Sequence, residues 1–453
     1  MTRVPCFKAY DIRGRVDEDV TPDLAYNLGL AMAAVMQAKR VVIGRDVRAT
    51  SPILQNALGL GLIAGGVQVL DLGLCGTEEV YFGTDHYDAC GGVMVTASHN
   101  PIEYNGFKIV GKGAAPLSDD TFRAIEAAVA ATPKPAASAG THQYVDCRNA
   151  YAERVCSFID PSALKPLHIL ANAGNGAAGP TFDAVVAALV AKGAPITVTR
   201  THHAGDPSFP NGIPNPLLPE NQPMTADAVI AAGADMGIAW DGDFDRCFFF
   251  DATGTFVPGE YMVGLLADAI LAKDAGASIV HDPRVIWNTQ RIVTGAGGIA
   301  VPARTGHALI KAKMRETNAA YGGEMSAHHY FRDFMFCDSG MIPWVLLAAH
   351  VSATGLGLKD LVSDMRHKHP SSGEVNFRVA DTQVAVDAIY ADYKDQAAHE
   401  DRLDGLGLSF DGWRFNLRAS NTEPLLRLNV EGLDADVVAH HAQALADRIK
   451  TLG

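Results

Sequence analysis

The 453-residue chain is 48% hydrophobic and 19% charged, the make-up of a soluble globular protein with length for about three domains. Its 37 basic and 51 acidic side chains leave a net charge of −14, which argues against nucleic acid or an anionic membrane as main partner. Any phosphate it handles must be met by a local basic pocket.

No apolar segment reaches the ~18 residues of a membrane span, and the opening MTRVPCFKAYDIRGR has no apolar core of a signal peptide. Seven cysteines, scattered from Cys6 to Cys337 without C-x-x-C spacing, read as reduced, mostly buried thiols. The expectation is a cytoplasmic protein.

In chain order, RVVIGRDVR (40–48) is a short β-branched run bounded by Gly44, SPILQNALGLGLIAGG has helical spacing with a serine start and a glycine stop, and VQVLDLG is again a strand. Strand, helix, strand is the unit of a parallel sheet. The pattern recurs in LHILANAGNGAAG, the Ala/Val-rich stretch 181–192 and PITVTR, then in ADMGIAWDGD, and again in GEYMVGLLADAILAK with SIVHD after it. Joints fall at the proline- and alanine-rich 131–142, near 250–260, and near 367–381, beyond which strands dominate before a closing helix. Four pieces result. GGVMVTASHN, GADMGIAWDGD and YGGEMSAHH share a cadence of glycine, methionine and polar loop, as three similar α/β domains offering loops to one cleft would.

The segment GVMVTASHNPIEYNGFKIV (92–110) ends an apolar strand in a polar elbow. There Ser98 exposes a hydroxyl able to carry a covalent phosphoryl group, assisted by His99, Lys108 and Arg13. A simpler reading has Ser98 and Asn100 only shaping a turn. In DGDFDR, Asp241, Asp243 and Asp245 crowd a tight strand-to-strand loop in which Gly242 allows the sharp turn. A hard divalent cation holds three such carboxylates together, and Arg246 beside them suits an anion; the plain alternative is a solvated acidic turn. An EF-hand would need glycine and glutamate where Arg246 and Ala252 stand.

YGGEMSAHHYF (321–331) concentrates Glu324, Ser326, His328 and His329, a set suited to sugar hydroxyls. Adjacent strand residues face opposite ways, so the two histidines make a poor metal pair. The pairs 202–203 and 440–441 read as surface or packing residues. RASNTEPLLRLNVE (418–431) brings Arg418, Ser420, Asn421, Thr422 and Arg427 together as an anion nest, or else as a serine/asparagine turn. No Walker loop is present, and GAGGIA (295–300) lacks the strand-to-helix context of a dinucleotide fingerprint.

TASHNP, DGDFDR, GEMSAH and RASNTEP in this order resemble the α-D-phosphohexomutase superfamily over nearly the whole chain, and YDIRG, FPNGIPNPLLPEN, TGHALIKAKM and YGGEMSAHHYFRDF look most like its bacterial phosphomannomutases. The resemblance implies an α/β fold: three α/β/α-layered domains with mixed sheets and a smaller C-terminal α+β domain, around a central cleft. Their expected limits are 1–145 (phosphoserine), 146–253 (metal), 254–367 (sugar) and 368–453 (phosphate).

It further implies that Ser98 is the phosphoserine, that Asp241, Asp243, Asp245 and a phosphoryl oxygen on Ser98 bind Mg²⁺, and that Arg13, His99 and Lys108 line the phosphoserine. Arg246 follows the metal loop, Glu324 and Ser326 contact sugar hydroxyls, and His307 and His328 lie near substrate. Arg418, Ser420, Asn421, Thr422 and Arg427 hold the phosphate not being transferred. The implied reaction interconverts mannose 6-phosphate and mannose 1-phosphate through a hexose 1,6-bisphosphate, for GDP-mannose synthesis.

Ala327 and His329 differ from the commonest dual-specificity wording, which favours mannose while leaving a phosphomannomutase/phosphoglucomutase open. A metal-independent serine hydrolase is a rival, but the chain has no G-x-S-x-G and that reading leaves the aspartates unexplained. A non-catalytic sugar-phosphate sensor is the other rival.

Overall fold

The structure is a computed structural model describing residues 4–419 and 425–452. Two compact units emerge, one of residues up to Phe256 together with His328–Gly355, the other of Val257–Ala327 and the chain from Leu356 onward.

The first unit opens with a six-stranded mixed sheet in the order Ile12–Arg15, Tyr104–Gly111, Gly91–Val95, Arg40–Arg45, Gln68–Leu74, Thr141–Tyr144. Arg40–Arg45 runs parallel to both its neighbours, whereas Tyr104–Gly111 is antiparallel to both of its own. Side chains alternate across a strand. Val41, Ile43, Val93 and Val95 accordingly join one core with Leu28, Met32, Leu54, Leu58 and Ile125, from helices Pro22–Val35, Ser51–Ala64 and Asp119–Ala130. Val42 and Met94 face the other way, onto Val80 of helix Thr77–His86. Burial on both faces explains why these strands read as unbroken apolar runs, and each large side chain so buried contributes roughly 1.5–3 kcal/mol. Helix Pro22–Val35 starts where Thr21 accepts the Leu24 N–H, with proline at its first position.

The second sheet of this unit sets Leu167–Asn172 parallel to Ile196–Thr201 and to Met236–Trp240, and pairs Met236–Trp240 antiparallel with Cys247–Asp251. Trp240 opposite Cys247 leaves residues 241–246 as the connecting loop. The stretch His328–Gly355 adds the antiparallel pairs Tyr330–Asp338 and Phe331–Cys337 and the largely buried helix Ile342–Thr354. It is tied down where Trp240 Nε1 donates to the Gly340 carbonyl at 2.9 Å and the Gly340 N–H donates to buried Glu78 at 3.0 Å.

In the second unit, Ser278–His281 lies parallel to Ile299–Pro302 and to Tyr321–Gly323. Its C-terminal sheet is antiparallel throughout, in the order Ser371–Arg378, Leu425–Gly432, Trp413–Ala419, Leu406–Ser409, His399–Asp401. Leu406, Leu408, Phe415, Leu417, Leu426 and Leu428 form its core with Ile389 of helix Thr382–Tyr393 and Leu445 of helix Ala435–Lys450. Among the described residues no single helix is long and apolar enough to cross a membrane, and the seven cysteines are free thiols. His203 pairs with Asp183 at 2.8 Å, and His441 stacks on Trp413.

Candidate active site

Ser98 lies beyond the carboxyl end of Gly91–Val95, in the left-handed backbone region with φ +50°. A non-glycine residue there is strained unless its surroundings hold it. The Ser98 N–H donates to Thr96 Oγ1 at 2.8 Å, and Thr96 Oγ1 donates to buried Asp46 at 2.8 Å. Arg48, 1% exposed, supplies the rest. One of its terminal nitrogens donates to the carbonyls of Pro101 (2.9 Å) and Tyr104 (3.1 Å), the other to those of Ser98 (3.0 Å) and Asn100 (2.5 Å). Four backbone carbonyls of the elbow thus converge on one guanidinium.

The hydroxyl held in this way donates to Asp241 Oδ2 at 2.6 Å, across 143 residues of sequence. Asp241, Asp243 and Asp245 are all buried, each offering an oxygen within 4.8 Å of the others'. Their loop turns differently from the sequence expectation: the left-handed residue is Phe244, φ +47°, and Gly242 serves close approach instead. A Cβ at Gly242 would stand 2.7 Å from the Ser98 carbonyl, so only glycine lets the two loops meet.

Lys108 reaches the triplet from Tyr104–Gly111, donating to Asp243 Oδ2 at 2.7 Å and also to Asp245 Oδ2. Thr77 Oγ1, at the start of helix Thr77–His86, donates to Asp243 Oδ2 at 2.6 Å. Burial alone would raise Asp243, but the Lys108 charge and the hydrogen bonds from Lys108, Thr77 and Ser98 outweigh it and hold the carboxyl low. Asp245 moves the other way: burial, and next the Asp243 charge, push it up to about 6.

Three carboxylates against Lys108 and Arg246 leave an excess of negative charge, and Asp241, Asp243 and Asp245 each keep a buried Oδ1 that accepts no hydrogen bond among the described residues. Unsatisfied buried carboxylate oxygens are costly. An all-oxygen donor set of this kind fits a hard divalent cation.

Arg246 donates through Nε (3.0 Å) and Nη2 (2.8 Å) to Asp241 Oδ2, and through Nη2 to His99 Nδ1 at 2.6 Å. Desolvation, then the Arg246 and Arg13 charges, lower the imidazole below its usual range, with 39% of the side chain exposed. Because Arg246 Nη2 donates to it, Nδ1 is the acceptor, and it lies 3.0 Å from Ser98 Oγ. Arg13 Nη1 donates to Asn100 Oδ1 at 2.6 Å and to the Ala97 carbonyl at 3.4 Å. His328 completes the group, its Nδ1 3.1 Å from Asp338 and 4.0 Å from Asp245. Its neighbour His329 is fully buried, on the opposite face, as alternation requires.

The second unit carries the other expected residues. Glu324 Oε1 accepts the Gly306 N–H at 2.9 Å, next to His307 at the head of helix His307–Thr317. Ser326 stands in the turn after Met325, whose N–H donates to Asp282 at 2.7 Å. Arg418 and Arg427 face each other across strands Trp413–Ala419 and Leu425–Gly432. Ser420, Asn421 and Thr422 lie outside the described residues. The structure adds Arg48, Thr77, Asp338, Arg284 and Glu374. Arg48 in GRDVR and Arg284 in HDPR each follow a buried strand, a pattern that could have flagged them; nothing local marks Thr77 or Glu374.

Comparison with known proteins bears on this arrangement directly. Four models of the phosphoglucomutase/phosphomannomutase set match in chain order: alpha/beta/alpha domain I over residues 5–136, domain II over 143–254, domain III over 258–369 and the C-terminal domain over 374–448. The chain belongs to the phosphoglucomutase/phosphomannomutase family. It has the four-domain α/β fold of that family, with mixed sheets, and is an enzyme of the isomerase class.

Among family members, it is 55% identical over 451 residues to a protein named Phosphohexose mutases from Xanthomonas campestris pv. campestris, covering 99% of each chain. It is 52% identical over 435 residues to a Phosphomannomutase of Salmonella typhimurium, covering 95% of each. A crystal structure of a phosphoglucomutase/phosphomannomutase family protein from Burkholderia thailandensis superposes with a TM-score of 0.86 at 29% identity, covering 100% of this chain and 98% of that one.

Proposed function

We propose that the protein is a phosphomannomutase interconverting mannose 6-phosphate and mannose 1-phosphate, with Ser98 as the residue that carries the phosphoryl group. The observation behind this reading is the Ser98 hydroxyl held 2.6 Å from Asp241, at a buried carboxylate triplet in which three oxygens accept no hydrogen bond among the described residues. Phosphomannomutase relatives at 52% and 50% identity over most of the chain support the substrate.

In the forward half-reaction, phosphorylated Ser98 meets the free hydroxyl of a hexose monophosphate. The P–Oγ bond breaks, a P–O bond to the sugar forms, the sugar hydroxyl's proton passes to a base on the protein, and the freed Ser98 oxygen takes up a proton to return to the hydroxyl. The resulting hexose 1,6-bisphosphate turns end for end and returns its other phosphate to Ser98. Asp241, Asp243 and Asp245 would hold Mg²⁺, which supplies charge stabilisation on the transferring group. Lys108, Arg13 and Arg246 add fixed positive charge around the same oxygen. His99 Nδ1 accepts from Arg246, which also grips Asp241 beside the serine.

Glu324 and Ser326 take sugar hydroxyls, His307 and His328 lie beside the substrate, and Arg418, Ser420, Asn421, Thr422 and Arg427 hold the phosphate not being transferred. The domain limits are 1–145, 146–253, 254–367 and 368–453. The product suits a nucleotidyl transfer to GDP-mannose, the bisphosphate acts as activator, and the location is cytoplasmic.

The test is intact mass spectrometry after incubation with glucose 1,6-bisphosphate, with a parallel assay on mannose 1-phosphate. An adduct of ~80 Da, the mass of an HPO₃ group, should form on the wild type and be lost in Ser98→Ala together with turnover. A Ser98→Ala enzyme that still turns over would refute the assignment.

A further inference from the structure

A carboxylate sits where three arginines of the second unit converge. Glu374 lies on Ser371–Arg378, just past the point where that strand's pairing with Leu425–Gly432 shifts register. Its Oε2 is 3.2 Å from Arg284 Nη1 and 3.7 Å from Arg418 Nη2, and its Oε1 is 3.4 Å from Arg427 Nη1. The guanidiniums come from three separate segments: the loop after Ser278–His281, and strands Trp413–Ala419 and Leu425–Gly432. Arg284 and Arg418 are 5% and 8% exposed, so little water is at hand to screen them from one another.

Two of these cations have further anchors. Arg284 Nη2 donates to Asp282 at 2.8 Å, and Asp282 also accepts the Met325 N–H, one residue from Glu324. Arg418 Nη1 donates to Thr305 Oγ1 at 3.4 Å, and Thr305 donates to Asp404 at 2.6 Å. Arg284 and Arg418 are aimed by groups besides Glu374, which accepts a hydrogen bond from Arg284 and meets Arg418 and Arg427 at ion-pair distance.

We infer that Glu374 is a built-in stand-in anion that occupies the arginine cluster and weakens its hold on a sugar-bound phosphate. This rests on the proposed distal-phosphate role of Arg418 and Arg427 and goes beyond it. An unopposed triple-arginine site would bind a phosphate dianion tightly, yet in the proposed reaction the bisphosphate must let go of this site to reverse. A fixed carboxylate sharing the same donors repels the arriving phosphate and repairs the cluster when it leaves. Affinity is lowered and release is quickened.

The experiment compares wild type, Glu374→Gln, Glu374→Asp and Arg418→Ala as full-length enzymes, by steady-state kinetics on mannose 1-phosphate and by competitive inhibition with inorganic phosphate. Glu374→Gln should lower KM and the phosphate inhibition constant by about tenfold each, ~1.4 kcal/mol, and lower kcat as release slows. A role confined to holding the arginines in place would instead raise KM. A KM and inhibition constant at or above wild type in Glu374→Gln overturn the inference.

Arg418→Ala separates the two readings. A raised KM there with no tightening in Glu374→Gln sinks only the stand-in role, whereas unchanged kinetics in Arg418→Ala sink both. Should the glutamine variant fold poorly, Glu374→Asp retracts the charge by one methylene and is read the same way: constants below wild type support the inference, constants at or above it refute it.

Discussion

Arg48→Met tests how the nucleophile is held. The variant keeps the length and packing of the stem but removes four hydrogen bonds to the carbonyls of Ser98, Asn100, Pro101 and Tyr104. A net hydrogen bond from a charged donor is worth about 1.5–3 kcal/mol, so even two of the four at the low end hold the elbow by ~3 kcal/mol. Against this stands the left-handed φ of Ser98, a strain of about 1–3 kcal/mol. Without the guanidinium the balance reverses, the backbone relaxes, and the hydroxyl leaves its 2.6 Å contact with Asp241.

A misplacement of about 1 Å at a reacting atom costs on the order of 100-fold. The expected result is a kcat on mannose 1-phosphate lowered about 100-fold with KM little changed, alongside slower appearance of the phosphoserine mass. Arg48→Lys, able to serve only some of the carbonyls, should fall between. Circular dichroism guards against global unfolding. A folded Arg48→Met enzyme with kcat within about twofold of wild type would refute the clamp, since no ~1 Å loss of position could then have occurred.

Asp243→Asn removes the charge that Lys108 and Thr77 both address; activity should fall at least ~100-fold with the circular dichroism spectrum retained, and excess EDTA should stop the wild type. Full activity in either experiment contradicts the metal assignment. His329, fully buried, is pushed down to about 3 by burial and then by the His328 charge. The unfolded chain binds a proton below ~6.5 that the folded one refuses, so stability is complete above that pH and declines by up to ~1.4 kcal/mol per unit as pH falls toward 3. The urea midpoint of His329→Gln should lose less over pH 6.5 to 5 than that of wild type, and equal slopes would remove the histidine from the account. At Gly106 a Cβ would stand 2.1 Å from the Ile12 carbonyl, on the strand that carries Arg13. Gly106→Ala should lower the melting temperature, from overpacking of about 1–3 kcal/mol, and reduce kcat as Arg13 shifts; an enzyme unchanged in both measures would contradict that packing.

Much of the architecture was legible because it is written locally. Val41, Ile43, Val93 and Val95 sit in apolar runs that read as strands, and Ser51 with Gly65 brackets a helix. DGDFDR packs three carboxylates into six residues between two apolar runs, so its strand–loop–strand form and its crowding follow from adjacency. The turn within it uses two residues for two purposes: Phe244 takes the left-handed backbone angle, and Gly242 is needed where the Ser98 loop presses in. No local pattern reports that second loop.

The amino-acid sequence alone determined which segments are strands and helices, where the hydroxyl, carboxylate and guanidinium clusters lie, and the family. These depend on neighbours a few residues apart and on period-2 or period-3.6 patterning. Tertiary structure decided the partnerships: Ser98 with Asp241, Arg48 under the Ser98 elbow, Lys108 among the aspartates, and Glu374 among three arginines. Those contacts join residues tens to hundreds of positions apart. Sheet order and strand register set them, and a shift of one residue in a strand would turn Lys108 to the opposite face of its sheet.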